Sequence, residues 1–339
     1  MKTTHCAVLL AVVVGTTVAP AQIDKKAQVG FRFLENLISA DIIGRGGTGV
    51  ASATTSNGIF WNPALIGWIG GTIDGGLHHT QGIADIDYNA LSAAFRIGDI
   101  GVIGLSGVMM DYGTFYGTRR DNSSAGYIET GTFSPQSYAI GLAFSQKVTD
   151  RFSYGVHIKY AAQDLGSAWV AETGSSIDDP NLTMSERGYS QHTFALDVGA
   201  YYDFLYNGIR FGAALQNISQ ELRYESGKFP LPFAVTFGAT IEPLNFFLEP
   251  SPDHIVMLSF ESRHPRDFGE RLNFGAEYSF LQAFALRIGY MTNYSERGFT
   301  AGLGVRSAVE EIPLRLDYAY EPFGIFGSVH HITFGVSYK

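Results

Sequence analysis

The sequence of 339 residues predicts an all-β protein: a transmembrane antiparallel β-barrel of about 14 strands with an N-terminal helical or loop segment that plugs it. Apolar residues alternate with small or polar ones along segments of about ten residues, the length with which a strand crosses a membrane. Glycine is abundant, with 40 residues, and charged residues make up only 16% of the chain, against about 25% in an average soluble domain.

The composition excludes several other classes of protein. The net charge is −9, from 23 Lys and Arg against 32 Asp and Glu, so the chain lacks the basic footprint of a nucleic-acid binder. A hydrophobic content of 45% argues against intrinsic disorder. With Cys6 as the one cysteine, no disulfide scaffold can form.

Residues 1–21 have the pattern of a cleaved signal peptide. Lys2 precedes the short apolar run 7–14, and Ala19-Pro20-Ala21 fits a cleavage site before Gln22. The alternative is a buried N-terminal strand. Export and a barrel together predict the bacterial outer membrane as the location, with its lipid as one partner. After this segment no apolar stretch approaches the 18 residues that a membrane-spanning helix requires.

Residues 22–69 do not alternate like a strand, and we predict that they form a plug or hatch before the barrel of residues 70–339. Apolar residues between Phe31 and Ile38 suit a short amphipathic helix. The plug motif that follows has a structural or gating role in this prediction and comprises Gly44, Gly46, Gly47, Trp61, Asn62 and Pro63. A periplasmic tail packed on the rim of the barrel is the alternative.

The C-terminal strand shows the alternation most clearly. Ile332, Phe334 and Val336 share one face of this strand, and Thr333 and Gly335 share the other. A soluble sandwich would turn the apolar face to a core, whereas a membrane barrel turns it to lipid. Strands of about ten residues favour the barrel, because soluble strands average about 5–6 residues.

We count fourteen such segments, an even number as single-chain outer-membrane barrels require. They lie near residues 70–80, 84–96, 100–111, 135–148, 151–163, 190–205, 207–217, 230–242, 253–263, 270–281, 283–293, 298–307, 312–320 and 329–338. Connections predicted outside the cell are long: 112–134, 164–189, 218–229, 262–269 and 321–328. Most connections on the other side are tight, and 243–252 is the exception.

Charged residues fall on the predicted inward faces of the strands. They are Lys159, Asp197, Asp203, Arg210, Arg271, Glu277, Arg287, Arg306, Arg315 and Asp317. One interpretation is a polar path or a carboxylate site for a lipid-like substrate, because arginine binds carboxylates with two hydrogen bonds. The other, which we favour, is a structural ion-pair network that fills the lumen or anchors the plug.

The remaining motifs do not predict chemistry. Residues 44–49 match G-x-G-x-x-G, but no strand and helix flank them as a dinucleotide site requires, so a tight loop explains them. His78-His79 and His330-His331 place adjacent imidazoles on opposite faces of a strand, so we predict no metal. No hydrolase or protease motif is present, and we predict neither a catalytic residue nor a cofactor.

The long outer segment 112–134 carries five aromatic residues among Gly, Ser and Asn. They are Tyr112, Phe115, Tyr116, Tyr127 and Phe133. Rigid aromatic side chains among small polar residues suit a protein-binding surface. A lid folded over the mouth of the barrel would use the same residues.

Several short motifs resemble the PorV/PorQ family of bacterial outer-membrane proteins. They are Gly44-Arg45-Gly46-Gly47, Trp61-Asn62-Pro63-Ala64, Gly275-Ala276-Glu277-Tyr278, Arg287-Ile288-Gly289-Tyr290 and Asp317-Tyr318-Ala319-Tyr320. The family is similar in architecture to FadL-type fatty-acid transporters. The resemblance covers the whole mature chain and implies a 14-stranded outer-membrane barrel.

Known members of this family act in type IX secretion, so the resemblance implies a non-enzymatic role in secretion or surface attachment. Secreted cargo proteins or secretion-system components would then be the partners. The alternative function is passive transport of hydrophobic small molecules such as fatty acids. An outer-membrane enzyme is the third class that we considered.

Overall fold

The computed structural model describes residues 28–173, 179 and 181–338. The predicted signal peptide lies outside these residues. Fourteen antiparallel strands close into one barrel, each strand pairing with its neighbours in the chain and the first with the last. The predicted barrel of 14 strands is confirmed. No helix among the described residues is long and apolar enough to cross a membrane.

The barrel strands are β1 (Ile73–Gln81), β2 (Asp87–Ile97), β3 (Gly101–Asp111), β6 (Gln136–Lys147), β7 (Phe152–Thr173), β8 (Thr183–Asp203), β9 (Arg210–Ile218), β12 (Ala234–Ile241), β13 (His254–Pro265), β14 (Arg271–Phe280), β15 (Phe284–Met291), β16 (Phe299–Val309), β17 (Ile312–Pro322) and β18 (Ser328–Tyr338). Two small two-stranded sheets accompany the barrel: β4 (Phe115–Arg120) with β5 (Tyr127–Phe133), and β10 (Leu222–Arg223) with β11 (Lys228–Phe229). Helical turns comprise α1 (Ala40–Ile43) and six 3-10 helices at Arg32–Glu35, Ser56–Phe60, Pro63–Trp68, Ile83–Asp85, Pro243–Phe246 and Gly324–Phe326.

The outer connections contain more regular structure than the sequence predicts. Residues 112–134 form the β4–β5 hairpin instead of a plain loop, and much of 164–189 continues β7 and β8 beyond the barrel. Polar residues interrupt the apolar alternation there, so periodicity alone ends both strands too early. The connections are long at this end of the barrel and tight at the opposite end, so the end with the long connections lies outside the cell.

Apolar side chains face outward around the whole barrel, as the alternation predicts. On β18 the side chain of Ile332 is 46% exposed, whereas its neighbour Thr333 is 2% exposed. The same division recurs on β15, where Leu286 and Ile288 are exposed and Ala285 and Arg287 are buried. The exposed apolar band is the lipid-facing surface of an outer-membrane barrel, and the small or polar side chains face the lumen.

Residues 28–72, here called the lumen segment, run through the interior of the barrel. Residues 28–32 line a cavity with residues of the outer connections, and the segment ends where β1 begins at the opposite end. Its backbone N–H groups at Ala40 and Gly46 donate hydrogen bonds to Thr333 (2.8 Å) and Thr300 (3.0 Å), on different strands of the wall. Across the barrel, Ser153 donates a 2.9 Å bond to the carbonyl of Ala64.

Glycines of the wall permit this segment to lie against the strands. A Cβ atom at any of nine glycines, each on a different strand, would come within 3.0 Å of an atom of the lumen segment. They are Gly76, Gly104, Gly155, Gly199, Gly212, Gly238, Gly275, Gly289 and Gly302, here called the glycine ring. The lumen segment thus contacts nine strands of the wall at one level, and we infer that the ring and the lumen segment close the barrel there.

Candidate functional site

The glycine-rich part of the plug motif is a tight loop against the wall. It follows α1, and Gly46 and Gly47 have φ values of +70°, a conformation that glycine adopts without strain. Gly44 lies against Gly302 of β16, and Gly46 lies against Gly289 of β15. A backbone-to-backbone fit of this kind explains the glycines without a bound nucleotide.

The Trp-Asn-Pro part of the motif joins the lumen segment to itself and to the wall. The Trp61 indole donates a 3.1 Å hydrogen bond to the carbonyl of Ile38. Asn62 is fully buried, and its amide donates to the carbonyls of Val50 and Ala200, each at 2.9 Å. Its side-chain oxygen accepts from the N–H of Ala64, and Pro63 stands at the first helical position.

Three of the predicted lumen charges form one buried ion-pair cluster. The Arg287 guanidinium lies 2.6 Å from Glu277 and 2.6 Å from Asp317. Arg45 of the lumen segment lies 3.7 Å from the same Glu277, which joins the segment to the wall. Such an arrangement anchors the lumen segment and has the form of the structural network that the sequence predicts.

Asp41, on α1 of the lumen segment, lies close to this cluster. Burial by itself raises the pKa of its carboxyl, but the charges of Arg45 and Arg287 outweigh burial and hold the pKa below 3.8. The hydroxyl of Ser39 donates a hydrogen bond to the same carboxylate. Asp41 therefore stays ionised at neutral pH and adds a negative charge that faces the arginines.

The other predicted lumen residues lie apart from this cluster. Arg315 binds both oxygens of Asp74, at 2.7 and 2.9 Å, a partner that the sequence analysis did not identify. Arg210 pairs with Glu242 at 3.0 Å near the inner end. Arg306 is exposed at that end. Arg271, at the outer end of β14, lines a cavity described below.

Two other predicted lumen charges, Lys159 and Asp197, belong to a second buried network, together with Ser106 and His157, which the sequence does not single out. Ser106 lies 2.9 Å from Nε2 of His157, whose Nδ1 lies 3.1 Å from Asp197. This is the order of a nucleophile, base and acid, but the adjoining cavity holds only about 40 Å³, enough space for little more than a water molecule. Lys159 also pairs with Asp197, at 2.8 Å.

The structural role of this network is visible at Asn217. Asp197 accepts a 2.7 Å bond from the Asn217 N–H, and Asn217 has a φ of +61°. Lys159 donates a 2.6 Å bond to the Asn217 side chain. The buried charges therefore hold an irregular point in the pairing of β8 with β9, where the register shifts.

The five aromatic residues of segment 112–134 divide between two environments. Tyr116, Tyr127 and Phe115 are exposed on the β4–β5 hairpin, with Tyr116 the most exposed at 83%. Phe133 stacks on Phe115 with ring centroids 5.6 Å apart. Tyr112 lines the mouth of the barrel and lies 3.3 Å from Ser137.

Cavities lie between the lumen segment and the outer end of the barrel. One of about 930 Å³ opens at the mouth between residues 28–32, Tyr112, Phe115 and Tyr224. Burial raises the pKa of Tyr224 to about 12, so its hydroxyl stays neutral. A second cavity of about 210 Å³ has mostly apolar walls, and a third of about 320 Å³ has four arginines in its lining. Among the described residues, no group of three or more His, Cys, Asp or Glu is arranged to hold a metal ion.

Several solved structures share this fold at low sequence identity. The Ralstonia pickettii toluene transporter TbuX matches with a TM-score of 0.56 at 14% identity, over 89% of this chain and 98% of that one. The CymD monoaromatic hydrocarbon channel matches with a TM-score of 0.54 at 14% identity, over 89% and 97%. A Pseudomonas aeruginosa FadL homologue gives 0.51 at 12% identity, over 88% and 97%. At such low identity these likenesses establish the fold.

Sequence comparison identifies the family. Comparison with curated protein sequences gives no significant match. The model of the type IX secretion system membrane proteins PorP/SprF matches residues 50–339. The matching family is one of type IX secretion, as the resemblance of the sequence motifs implies. The motifs resemble PorV/PorQ, however, whereas the matching model is that of PorP/SprF. Its barrel places the protein in the bacterial outer membrane, and the chain belongs to the PorP/SprF family of type IX secretion system membrane proteins.

Proposed function

We propose that the protein acts in type IX secretion as a non-enzymatic docking platform whose outer surface binds exported proteins or components of the secretion system. The binding surface is the outer crown, defined as the β4–β5 hairpin together with residues 164–173 and 181–190 of β7 and β8. One observation carries the proposal: this sheet structure stands outside the membrane and exposes aromatic side chains.

The outer crown has the chemistry of a protein-binding surface. Tyr116 and Tyr127 are exposed on the hairpin, and Trp169 on β7 is 42% exposed. The Arg119 guanidinium lies 5.4 Å from the centre of the Trp169 ring, a cation–π contact that links the hairpin to β7. Tyr, Trp and Arg are the residues that contribute most to binding at protein interfaces.

Ionic contacts link the outer crown to a neighbouring outer connection. Arg187 on β8 pairs with Glu225 at 3.0 Å, and Tyr189 donates a 2.9 Å bond to the same carboxylate. The bonds from Tyr189 and Arg187 lower the pKa of Glu225. The extension of β8 is therefore tied to the connection between β9 and β12, which limits the rearrangement that binding would require.

The closed lumen also supports a role at the outer surface. The lumen segment lies against nine strands at the glycine ring, and we infer that no polypeptide passes beside it. Holding a protein at the outer membrane, which the PorV/PorQ resemblance implies, requires a surface and an anchor in lipid. The crown and the exposed apolar band of the barrel supply both.

The test is photo-crosslinking in the native outer membrane with a photoreactive amino acid at position 116, combined with a secretion assay. We expect Tyr116 to yield adducts with exported or secretion-system proteins. We also expect the double variant Tyr116→Ser, Tyr127→Ser to reduce secretion while the barrel stays folded. Tyr206→Ser is the matched control, because Tyr206 is 60% exposed at the opposite end. Normal secretion and no adducts would refute the docking role.

Passive transport of hydrophobic small molecules is the second candidate. The observation that favours it is the presence of both a large mouth cavity and a separate, mostly apolar pocket beside the lumen segment. Transport would require the lumen segment to move away from the glycine ring. Proteoliposomes that take up a hydrophobic tracer faster than protein-free liposomes would favour this candidate over docking.

A further inference from the structure

Two arginines face each other directly at the outer end of the barrel wall. Arg263 on β13 and Arg271 on β14 are partners in the strand register, and their side chains face the lumen. They are only 7% and 9% exposed. Like charges directly opposite each other destabilise a sheet, and a buried charge without a partner is strongly unfavourable. Their placement therefore needs an explanation.

No described carboxylate forms a salt bridge with either arginine. Arg263 donates a 2.8 Å hydrogen bond to the Gln216 side chain, which is a neutral acceptor. The Arg271 guanidinium lies between two rings, 4.4 Å from the centre of Phe268 and 4.3 Å from that of Tyr294. Its buried Nε has no hydrogen-bond partner among the described residues. The rings cover its faces, so the edge of the group remains available to an acceptor.

The nearby carboxylates are engaged by other cations. Asp267 pairs with Arg32, and Glu321 lies 3.3 Å from Arg297 and 3.2 Å from His331. Glu35 lines the same cavity and lies 2.9 Å from Arg32. Of these carboxylates only Glu35 lines the cavity itself, against four arginines. A bound anion would reduce this excess of positive charge in the cavity wall.

The arginine-lined cavity, here called the arginine pocket, adjoins an apolar pocket. The two share Asn36, Leu37, Met110, Arg297 and Phe323 in their walls. The apolar pocket is lined further by Ile83, Ile86, Tyr88 and Val329. Their volumes are about 320 and 210 Å³. A ligand that fills both pockets must be anionic at one end and apolar at the other.

We propose that the arginine pocket binds the carboxylate of a small monocarboxylic acid whose apolar tail occupies the adjoining pocket. The planar guanidinium groups of Arg263 and Arg271 offer the paired donors that a carboxylate accepts. The bound charge relieves the repulsion between the two arginines. This site does not depend on the docking role of the outer crown, because neither arginine belongs to the crown.

The test measures binding of octanoate to the purified barrel in nanodiscs, with calorimetry as the readout. Octanamide has a similar shape without the charge, and acetate has the charge without the tail. We expect octanoate to bind about tenfold or more tightly than either. Equal binding of octanoate and octanamide would overturn the proposal.

Variants separate the two parts of the site. Arg271→Met should weaken octanoate binding about tenfold to a hundredfold and leave octanamide unaffected. If this variant fails to fold, Arg263→Met tests the same carboxylate contact. Val329→Phe fills the apolar pocket and should weaken octanoate but not acetate. Arg187→Met is the control, since Arg187 forms an exposed ion pair in the outer crown. Unchanged octanoate affinity in Arg271→Met or Arg263→Met would refute the assignment.

Discussion

Substitution of Gly289 by alanine tests the packing between the wall and the lumen segment. The new Cβ would overlap the backbone nitrogen of Gly46 and the carbonyl carbon of Arg45. These are backbone atoms, so no side chain can rotate away. The strand is held on both sides, because Gly289 pairs with Gly275 and with Thr300. The lumen segment must therefore shift.

The cost of this shift follows from two contributions. Overpacking a filled interior costs about 1–3 kcal/mol. Displacing Gly46 also weakens its 3.0 Å hydrogen bond to Thr300, which contributes about 0.5–1.5 kcal/mol. We therefore expect Gly289→Ala to lower the free energy of unfolding by about 2–4 kcal/mol. Urea unfolding in lipid vesicles measures this loss, and hydrogen exchange of residues 40–50 should accelerate.

Gly107→Ala is the matched control. Gly107 lies on β3, and a Cβ atom added there would lie 3.9 Å from its nearest heavy atom, the Cβ of Leu91. This distance is an ordinary van der Waals contact. The stability of this variant should change by less than about 0.5 kcal/mol. Equal stability of the two variants, with unchanged exchange in residues 40–50, would refute the reasoning that the wall and the lumen segment are in close contact.

Three further predictions concern the charges and the closed lumen. Arg287→Met leaves Glu277 and Asp317 buried without this arginine and should lower the free energy of unfolding in urea by about 3–5 kcal/mol. Arg210→Met removes the partly exposed pair with Glu242 and should lower it by about 1 kcal/mol or less. Equal decreases in the two variants would contradict the difference in burial. The depressed pKa of Asp41 means that its carboxylate stabilises the fold above about pH 4 and loses this contribution as the pH falls further. Stability measured between pH 5 and 2 should thus fall less steeply in Asp41→Asn, and identical slopes would rule out this role. In planar bilayers the protein should show no steady ionic current, because the glycine ring and the lumen segment close the barrel. Discrete steps of current through an open pore would contradict this closure.

The number of strands and the face on which each side chain lies could be predicted from the sequence, because both follow from the two-residue alternation of apolar and polar residues. Ile332 and Thr333 alternate in the chain and therefore lie on opposite faces of the wall. The extensions of β7 and β8 could not be predicted, since outside the membrane no lipid imposes an apolar face. The polar stretch around Glu186 therefore has the composition of a loop although it forms a strand.

The pairing of Arg287 with Glu277 and Asp317 could be anticipated, because all three lie on inward faces of the late strands. The other partners of the inward charges could not be predicted, because strand register and the path of the lumen segment determine them. The sequence places Arg263 and Arg271 eight positions apart, and only the pairing of β13 with β14 shows that they are opposite. Asp74 and Arg315 are 241 positions apart and meet because the first and last strands close the barrel. The network of Ser106, His157 and Asp197 depends likewise on three separate strands.

Closure at the glycine ring determines where binding can occur. The mouth cavity, the apolar pocket and the arginine pocket all lie on the outer side of that closure, so ligands reach them from outside the cell while the lumen segment stays in place. Residues 28–32 form part of the mouth, and residues 32–33 and 35–37 line the arginine pocket. The lumen segment therefore both closes the barrel and forms a wall of the binding pockets. A substitution in the glycine ring that displaces this segment should therefore alter octanoate binding without touching the arginines, whereas substitutions in the exposed part of the outer crown should not.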